Sequence, residues 1–321
     1  MFHRDAGVSI QIVSMFAGLF LMGTGVVRAQ VDGHGTHGWS TPRTAWGAPD
    51  LQGIWDYRTM TPLERPREFA GKAVMSEEEA AEYTARKLVE QADYDLAPSV
   101  HAKWWLDYGK ELTDDHRTSL IVDPVDGRVP PLTEEARLRG AARADRRRTN
   151  GADGADYRAL SERCLSFGTP RLPGAYNNNY QILQTQDQVV IVSEMVHDAR
   201  VVPLDGRPYS DIDQWHGEAR GYWEGDTLVV TSRNYPSLGA FRGSTEGVRI
   251  VERFSRVGPA TIDYELTVQD PATWTASWTV MFPMKKTDQP MFEYACHEGN
   301  YGLENILRNA RIEEAENRVA P

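Results

Sequence analysis

Cysteine is scarce in this 321-residue chain. Cys164 and Cys296 are too few for a disulfide-dense scaffold or a four-cysteine zinc centre. Basic residues are outnumbered, 35 Lys and Arg against 46 Asp and Glu for a net charge of −11. That balance excludes the clustered cationic surface that nucleic-acid phosphates require. Beyond the first thirty residues no apolar run is long enough to span a bilayer. There is no P-loop, no Gly-x-Gly-x-x-Gly opening a helix and no Gly-x-Ser-x-Gly elbow, so nucleotide binding and a serine-hydrolase elbow have no motif here. What is present, 40% hydrophobic and 25% charged residues, is the composition of a folded chain with a sizeable core.

The chain opens on an address. Arg4 precedes an apolar stretch from Ile10 to Val27, and Val27-Arg28-Ala29 puts small side chains at −3 and −1 of a cut before Gln30. Residues 1–29 therefore read as a secretory signal peptide, with an uncleaved anchor as the other reading. The expected mature protein is periplasmic or secreted, with no membrane contact after cleavage. Residues 30–49, rich in Gly, Thr, Pro and His, read as a flexible leader, and 50–316 as one domain with a helical insert at about 74–160. In an oxidising compartment Cys164 and Cys296 are expected to bond to each other. A nucleophilic Cys296 beside His297, or two buried thiols, are the alternatives.

Periodicity divides the domain. Ser76-Glu77-Glu78-Glu79 is a capping box, and Thr133-Glu134-Glu135 starts a second helix running through Arg148. Trp104 and Trp105 are expected to dock the insert. After Tyr180 the period becomes two: 181–184, 189–196, 227–231, 248–255 and 261–268 read as strands. Trp278, Val280, Phe282 and Met284 alternate likewise, and Phe292, Tyr294 and Cys296 continue the set. A last helix covers 301–316. Short connections make the sheet antiparallel and sequential, and closure into a barrel removes its edges, a sandwich being the alternative. Gly53-Ile54-Trp55 resembles the Gly-x-Trp of lipocalin-like (calycin) barrels, a likeness that implies one internal cavity for a small ligand. The fold class expected is thus mainly β, a calycin-like antiparallel barrel with a helical insertion and a C-terminal helix.

Six further motifs recur in order: Arg163-Cys164-x-x-x-Gly168-x-Pro170-Arg171, Asn177-Asn178-Asn179-Tyr180, His197-Asp198-Ala199-Arg200, Trp215-His216-Gly217, Trp223-Glu224-Gly225-Asp226-Thr227 and Glu293-Tyr294-Ala295-Cys296-His297-Glu298-Gly299-Asn300-Tyr301. Together they resemble a family of exported proteins of soil bacteria. The resemblance implies export and a shared β-body, and it carries no activity with it.

Three histidines of the β-rich body, His197, His216 and His297, each have an acid within two positions. None has the i, i+4 spacing of two ligands on a helix, so a histidine-bound metal would need tertiary convergence, and no cofactor is expected. A metal-free acid–base site needs less: one base, one acid and a group that steadies an anion. His197 or His216 is the candidate base, Tyr176 or Glu298 the acid, and Arg200 the anion stabiliser. Asn177, Asn179, Glu194, Trp215, Trp223, Arg242, His297 and Tyr301 are candidates for holding the ligand. Glu194 and Glu252 alternate with apolar residues, and a carboxylate on an apolar face must be paired, protonated or functional. Arg171, Arg200, Arg242 and Arg253 are the available counter-charges. The expectation is an exported lyase, isomerase or hydrolase acting on a small oxygen-rich molecule such as a glycoside, phenolic or terpenoid. A non-catalytic carrier with the same cavity, or an interaction module of an envelope complex, are the other readings.

Overall fold

The computed structural model describes residues 39–96, 106–239 and 241–319. The expected signal peptide, most of the Gly-rich start of the leader, and Trp104 and Trp105 lie outside these residues. From Trp39 onward the chain is laid against the body: Arg43 reaches Asp226 at 2.5 Å, and the Asp50 N–H donates to the Pro42 carbonyl.

The body is mainly β, a nearly closed antiparallel barrel. Its strands are β1 (Gly53–Asp56), β3 (Asn179–Gln184), β4 (Gln188–Ser193), β5 (Ala199–Pro203), β6 (Glu218–Glu224), β7 (Thr227–Arg233), β8 (Arg249–Gly258), β9 (Thr261–Gln269) and β10 (Trp278–Thr287). A short β2 (Ile121–Asp123) pairs beside the main path with β10. Round the barrel the order is β5-β4-β3-β1-β10-β9-β8-β7-β6. The first strand is thus slotted between β3 and β10, with Ile54 opposite Gln181 on one side and Thr287 on the other.

Alternation explains the walls. Along β9, Ile262, Tyr264, Leu266 and Val268 are buried while Thr261, Asp263, Glu265 and Thr267 stay half-exposed; β8 and most of β10 do the same. Two-residue connections, Gly225-Asp226 and Pro259-Ala260, join β6 to β7 and β8 to β9, and Gly225 supplies the left-handed φ of +59° in the first. The interior is packed rather than hollow: Trp55, Tyr57, Tyr180, Tyr235, Phe254, Tyr264, Trp278 and Phe282 all lie within it, fully buried. Trp55 of β1 is part of this core. Its indole N–H donates to the Leu51 carbonyl, and the Arg256 guanidinium lies 5.7 Å from its ring, held by the carbonyls of Asp50 and Pro259.

Three helices lie outside the wall: α1 (Glu77–Leu96), α2 (Glu134–Asn150) and α3 (Gly302–Val319). The capping box before α1 forms as the sequence predicts, Ser76 Oγ accepting from the Glu79 N–H and Glu79 Oε2 from the Ser76 N–H. Thr133 caps α2 through the Ala136 N–H. Among the described residues no helix is long and apolar enough to cross a membrane.

Two local expectations fail. The strand expected over 189–196 stops at Ser193. Glu194 turns into helical φ/ψ, Val196 and His197 follow at φ of 59° and 55°, and the chain reverses into β5. Glu194 therefore shares no strand face with Val190 and Val192. The alternation of Phe292, Tyr294 and Cys296 makes no strand either: β10 ends at Thr287, Pro290 removes a ladder donor, and Phe292 is 68% exposed. Cys164 and Cys296 are bonded, with Cα atoms 5.6 Å apart and a sequence separation of 132.

Candidate active site

The path round the barrel contains nine strands, an odd number, so its two ends, β5 and β6, run parallel. No ladder joins them among the described residues. At one level the gap is narrow, because a Cβ on Gly221 of β6 would fall 2.7 Å from Val202 and 2.8 Å from Leu204. Toward the start of both strands it opens into a cavity of about 480 Å³ lined by Leu165, residues of β5 and β6, and the loop 214–217.

Arg200 and Asp198 share a face at the beginning of β5, since side chains two apart point the same way. Arg200 runs into the barrel and makes a bidentate pair with Glu252 of β8, its Nη2 lying 2.8 Å from Glu252 Oε1; both side chains are buried. Tyr264 also donates to Glu252 Oε1, at 2.8 Å. Burial opposes the guanidinium charge, but Glu252 more than offsets it and holds Arg200 above its ordinary value. Burial pushes the Tyr180 phenol beside this pair up to about 12, so it stays neutral.

Asp198 is buried and collects donors. Ser166 Oγ lies 2.9 Å and the Phe167 N–H 3.4 Å from its Oδ2, and Nε2 of His216 lies 3.1 Å from its Oδ1. The His216–Asp198 contact is close but off the hydrogen-bond direction. The imidazole, 24% exposed, lines the cavity. Gly217 is what allows this placement. It sits at φ +69°, and a Cβ there would lie 2.3 Å from the Tyr235 ring, so the chain turns beneath His216 only with hydrogen at that position. Trp215, 40% exposed, stands beside it with Cε3 over Gly239.

Glu218 locks the opposite wall. It accepts from the N–H and Oγ of Ser210, from Asn234 Nδ2 and from Arg220. Burial alone would raise this carboxylate, but the hydrogen bonds outweigh it and hold Glu218 below the usual carboxylate range. Arg220 gives its remaining donors to the carbonyls of Arg207, Pro208 and Ala219.

Of the residues singled out from the sequence, His216, Trp215 and Arg200 meet at this cavity. His197 lies next to Asp198 in the chain, and its Nε2 accepts the Tyr294 N–H at 3.3 Å. Tyr176 interacts with Tyr294, whose ring packs on Phe167. The motif around Cys296 thus lies against the motif around Cys164, tied by the disulfide. Glu298, His297 and Tyr301 face solvent on that strap. Asn179 donates to buried Glu194 at 2.7 Å, a local structural pair. Asn177, at φ 53°, offers its carbonyl to the Tyr57 hydroxyl. Trp223 packs on the barrel core, and Arg242 is exposed in the turn 241–243. None of these last four lines the cavity.

Three contributors escaped the sequence reading: Asp198 as a partner of His216, Ser166 and Arg220. The parity of Asp198 and Arg200 on one strand places both on a buried face, but nothing in the sequence pairs Asp198 with His216. Among the described residues no group of three or more His, Cys, Asp or Glu is arranged to hold a metal ion. Compared with family models, curated proteins and solved structures, the chain matches none.

Proposed function

We propose that the cavity between β5 and β6 is the active site of an exported enzyme in which His216, oriented by Asp198, moves a proton on a small oxygen-rich molecule. The carrying observation is the half-buried imidazole at the cavity wall with a buried carboxylate 3.1 Å behind its Nε2. The contact is off the hydrogen-bond direction, so Asp198 places the ring at the wall without fixing its tautomer, and proton transfer is assigned to the imidazole as a whole. Elimination, isomerisation or hydrolysis of a glycoside, phenolic or terpenoid would use such a group. Arg200, the anion stabiliser expected from the sequence, lies behind the cavity with both terminal nitrogens on Glu252, so the proton transfer is assigned to His216 without it. Export is supported by the Cys164–Cys296 bond and by the apolar N-terminal segment with its small-residue cleavage site. The calycin-like ancestry suggested by Gly53-Ile54-Trp55 and the soil-bacterial motif family belong to the same proposal.

The test is turnover of a glycoside and phenolic panel by His216→Ala and Asp198→Asn. Loss of about 100- to 10,000-fold in rate is expected for His216→Ala. Unchanged turnover in both variants would remove the assignment. The engagement of Arg200 by Glu252 favours a second reading, a carrier; binding of panel members without conversion by the wild type would select it.

A further inference from the structure

The charges around the seam are already spent on one another, and this narrows the ligand. Arg200 gives both terminal nitrogens to Glu252, and Arg207 is forked onto Asp205. Arg220 is shared among Glu218 and three carbonyls. A ligand carboxylate entering the cavity would compete with Glu252, Asp205 or Glu218 for a guanidinium that already has a carboxylate partner. It would also approach Asp198 and Glu218, both buried and both acceptors. A neutral ligand meets neither cost.

The remaining surface has a matching character. Trp215 brings an indole to the wall, and Leu165, Val201 and Pro203 add apolar area. Gln214 and His216 each combine donor and acceptor capacity. The facing edges of β5 and β6, joined by no ladder, alternate backbone N–H and C=O groups. A ring with an apolar face and hydroxyls that both donate and accept fits such a lining.

Resting on the functional reading above, we infer that the seam cavity takes a neutral glycosyl ring stacked on Trp215 and discriminates against the same sugar bearing a carboxylate. Trp215 is the specificity-determining residue, and the arginines already paired with carboxylates are the filter.

The experiment is calorimetric titration of the full mature chain with a panel of aryl glycosides, each paired with its uronic-acid counterpart. Neutral members are expected to bind at least about 10-fold more tightly than their carboxylated partners, the equivalent of about 1.4 kcal/mol. Trp215→Ala should weaken neutral binding by about 10-fold, while Trp215→Phe, which keeps a stacking face, should stay within about 3-fold. Melting of both variants, recorded alongside, separates loss of the platform from loss of the fold. Equal or tighter binding of the carboxylated sugars, or neutral binding indifferent to Trp215→Ala, overturns this inference and leaves the functional reading standing. Binding of neither set overturns both.

Discussion

The wall made by β8, β9 and β10 and the seam between β5 and β6 belong to the same barrel but solve opposite problems. In the wall every strand has two laddered neighbours, the inward positions of β9 and β10 are aromatic or aliphatic, and β8 adds Glu252 and Arg256 between and beyond its buried Ile250 and Phe254. At the seam two parallel edges face each other without a ladder, Asp198 and Arg200 are buried among the inward positions with Val202 and Ala219, and Glu218 is buried on the other face of β6. Hydrophobic burial dominates the wall, and Glu252 ties it to the seam. The seam is held by specific polar contacts and a covalent bond. A site that must admit a ligand is therefore placed where the sheet stops, and each tether there has a separable cost.

Cutting the tethers one at a time sharpens this contrast. The largest effect is expected from Cys164→Ser with Cys296→Ser. The bond spans a sequence separation of 132, for which chain entropy gives at most about 4–5 kcal/mol. Chemical denaturation should show the loss, and hydrogen exchange should place added opening in 164–168 and 292–300 rather than in β8–β10. Next is the buried pair that ties β5 to β8. Glu252→Ala strands the Arg200 charge and should cost about 3–5 kcal/mol, whereas Arg200→Met with Glu252→Leu should recover most of it. A double variant as unstable as the single would mean that Arg200 and Glu252 do more than neutralise each other.

Smaller is the effect of closing the gap sterically. Gly221→Ala places a methyl group against Val202 and Leu204 and should lower stability by about 1–3 kcal/mol; Thr267→Val on the wall's outer face should change it by less than about 0.5. Similar melting of the two would erase the distinction between seam and wall.

Smallest is a pH effect. Because hydrogen bonds hold Glu218 below the usual carboxylate range, the folded state binds its proton less readily than the unfolded chain does. Its contribution is complete above about pH 5 and is lost as pH falls through the unfolded value near 4 and below. Glu218→Gln should be less stable at neutral pH, with a shallower fall on acidification. Parallel stability–pH curves for the two proteins would show that Glu218 carries no such linkage.

Legibility followed the same division. The wall was readable because strict alternation over 261–268 and 278–284 has one physical reading, a sheet with one buried face. The caps at Ser76 and Thr133 were readable because their chemistry is local. Both seam strands were missed. β5 is five residues long and begins straight after a reversal through Met195, Val196 and His197, where no Gly, Pro or Asn marks a turn and a β-branched Val takes φ 59°. β6 interrupts its apolar positions with Glu218 and Gly221, whose reasons are partners distant in sequence. His216 was nameable from its neighbours. Its carboxylate was not, because Asp198 reaches it only after the intervening chain, 199–215, has crossed from one edge of the sheet to the other.

The slot occupied by β1 governs how this chain reaches its final state. Ile54 needs Gln181 on one flank and Thr287 on the other, so the earliest strand waits for nearly the last one. Such long-range pairing slows folding. A polypeptide emerging from its N-terminus keeps a sticky, half-finished sheet until more than two hundred further residues have followed. Transport across a membrane before that point would meet a substrate that is still pliable.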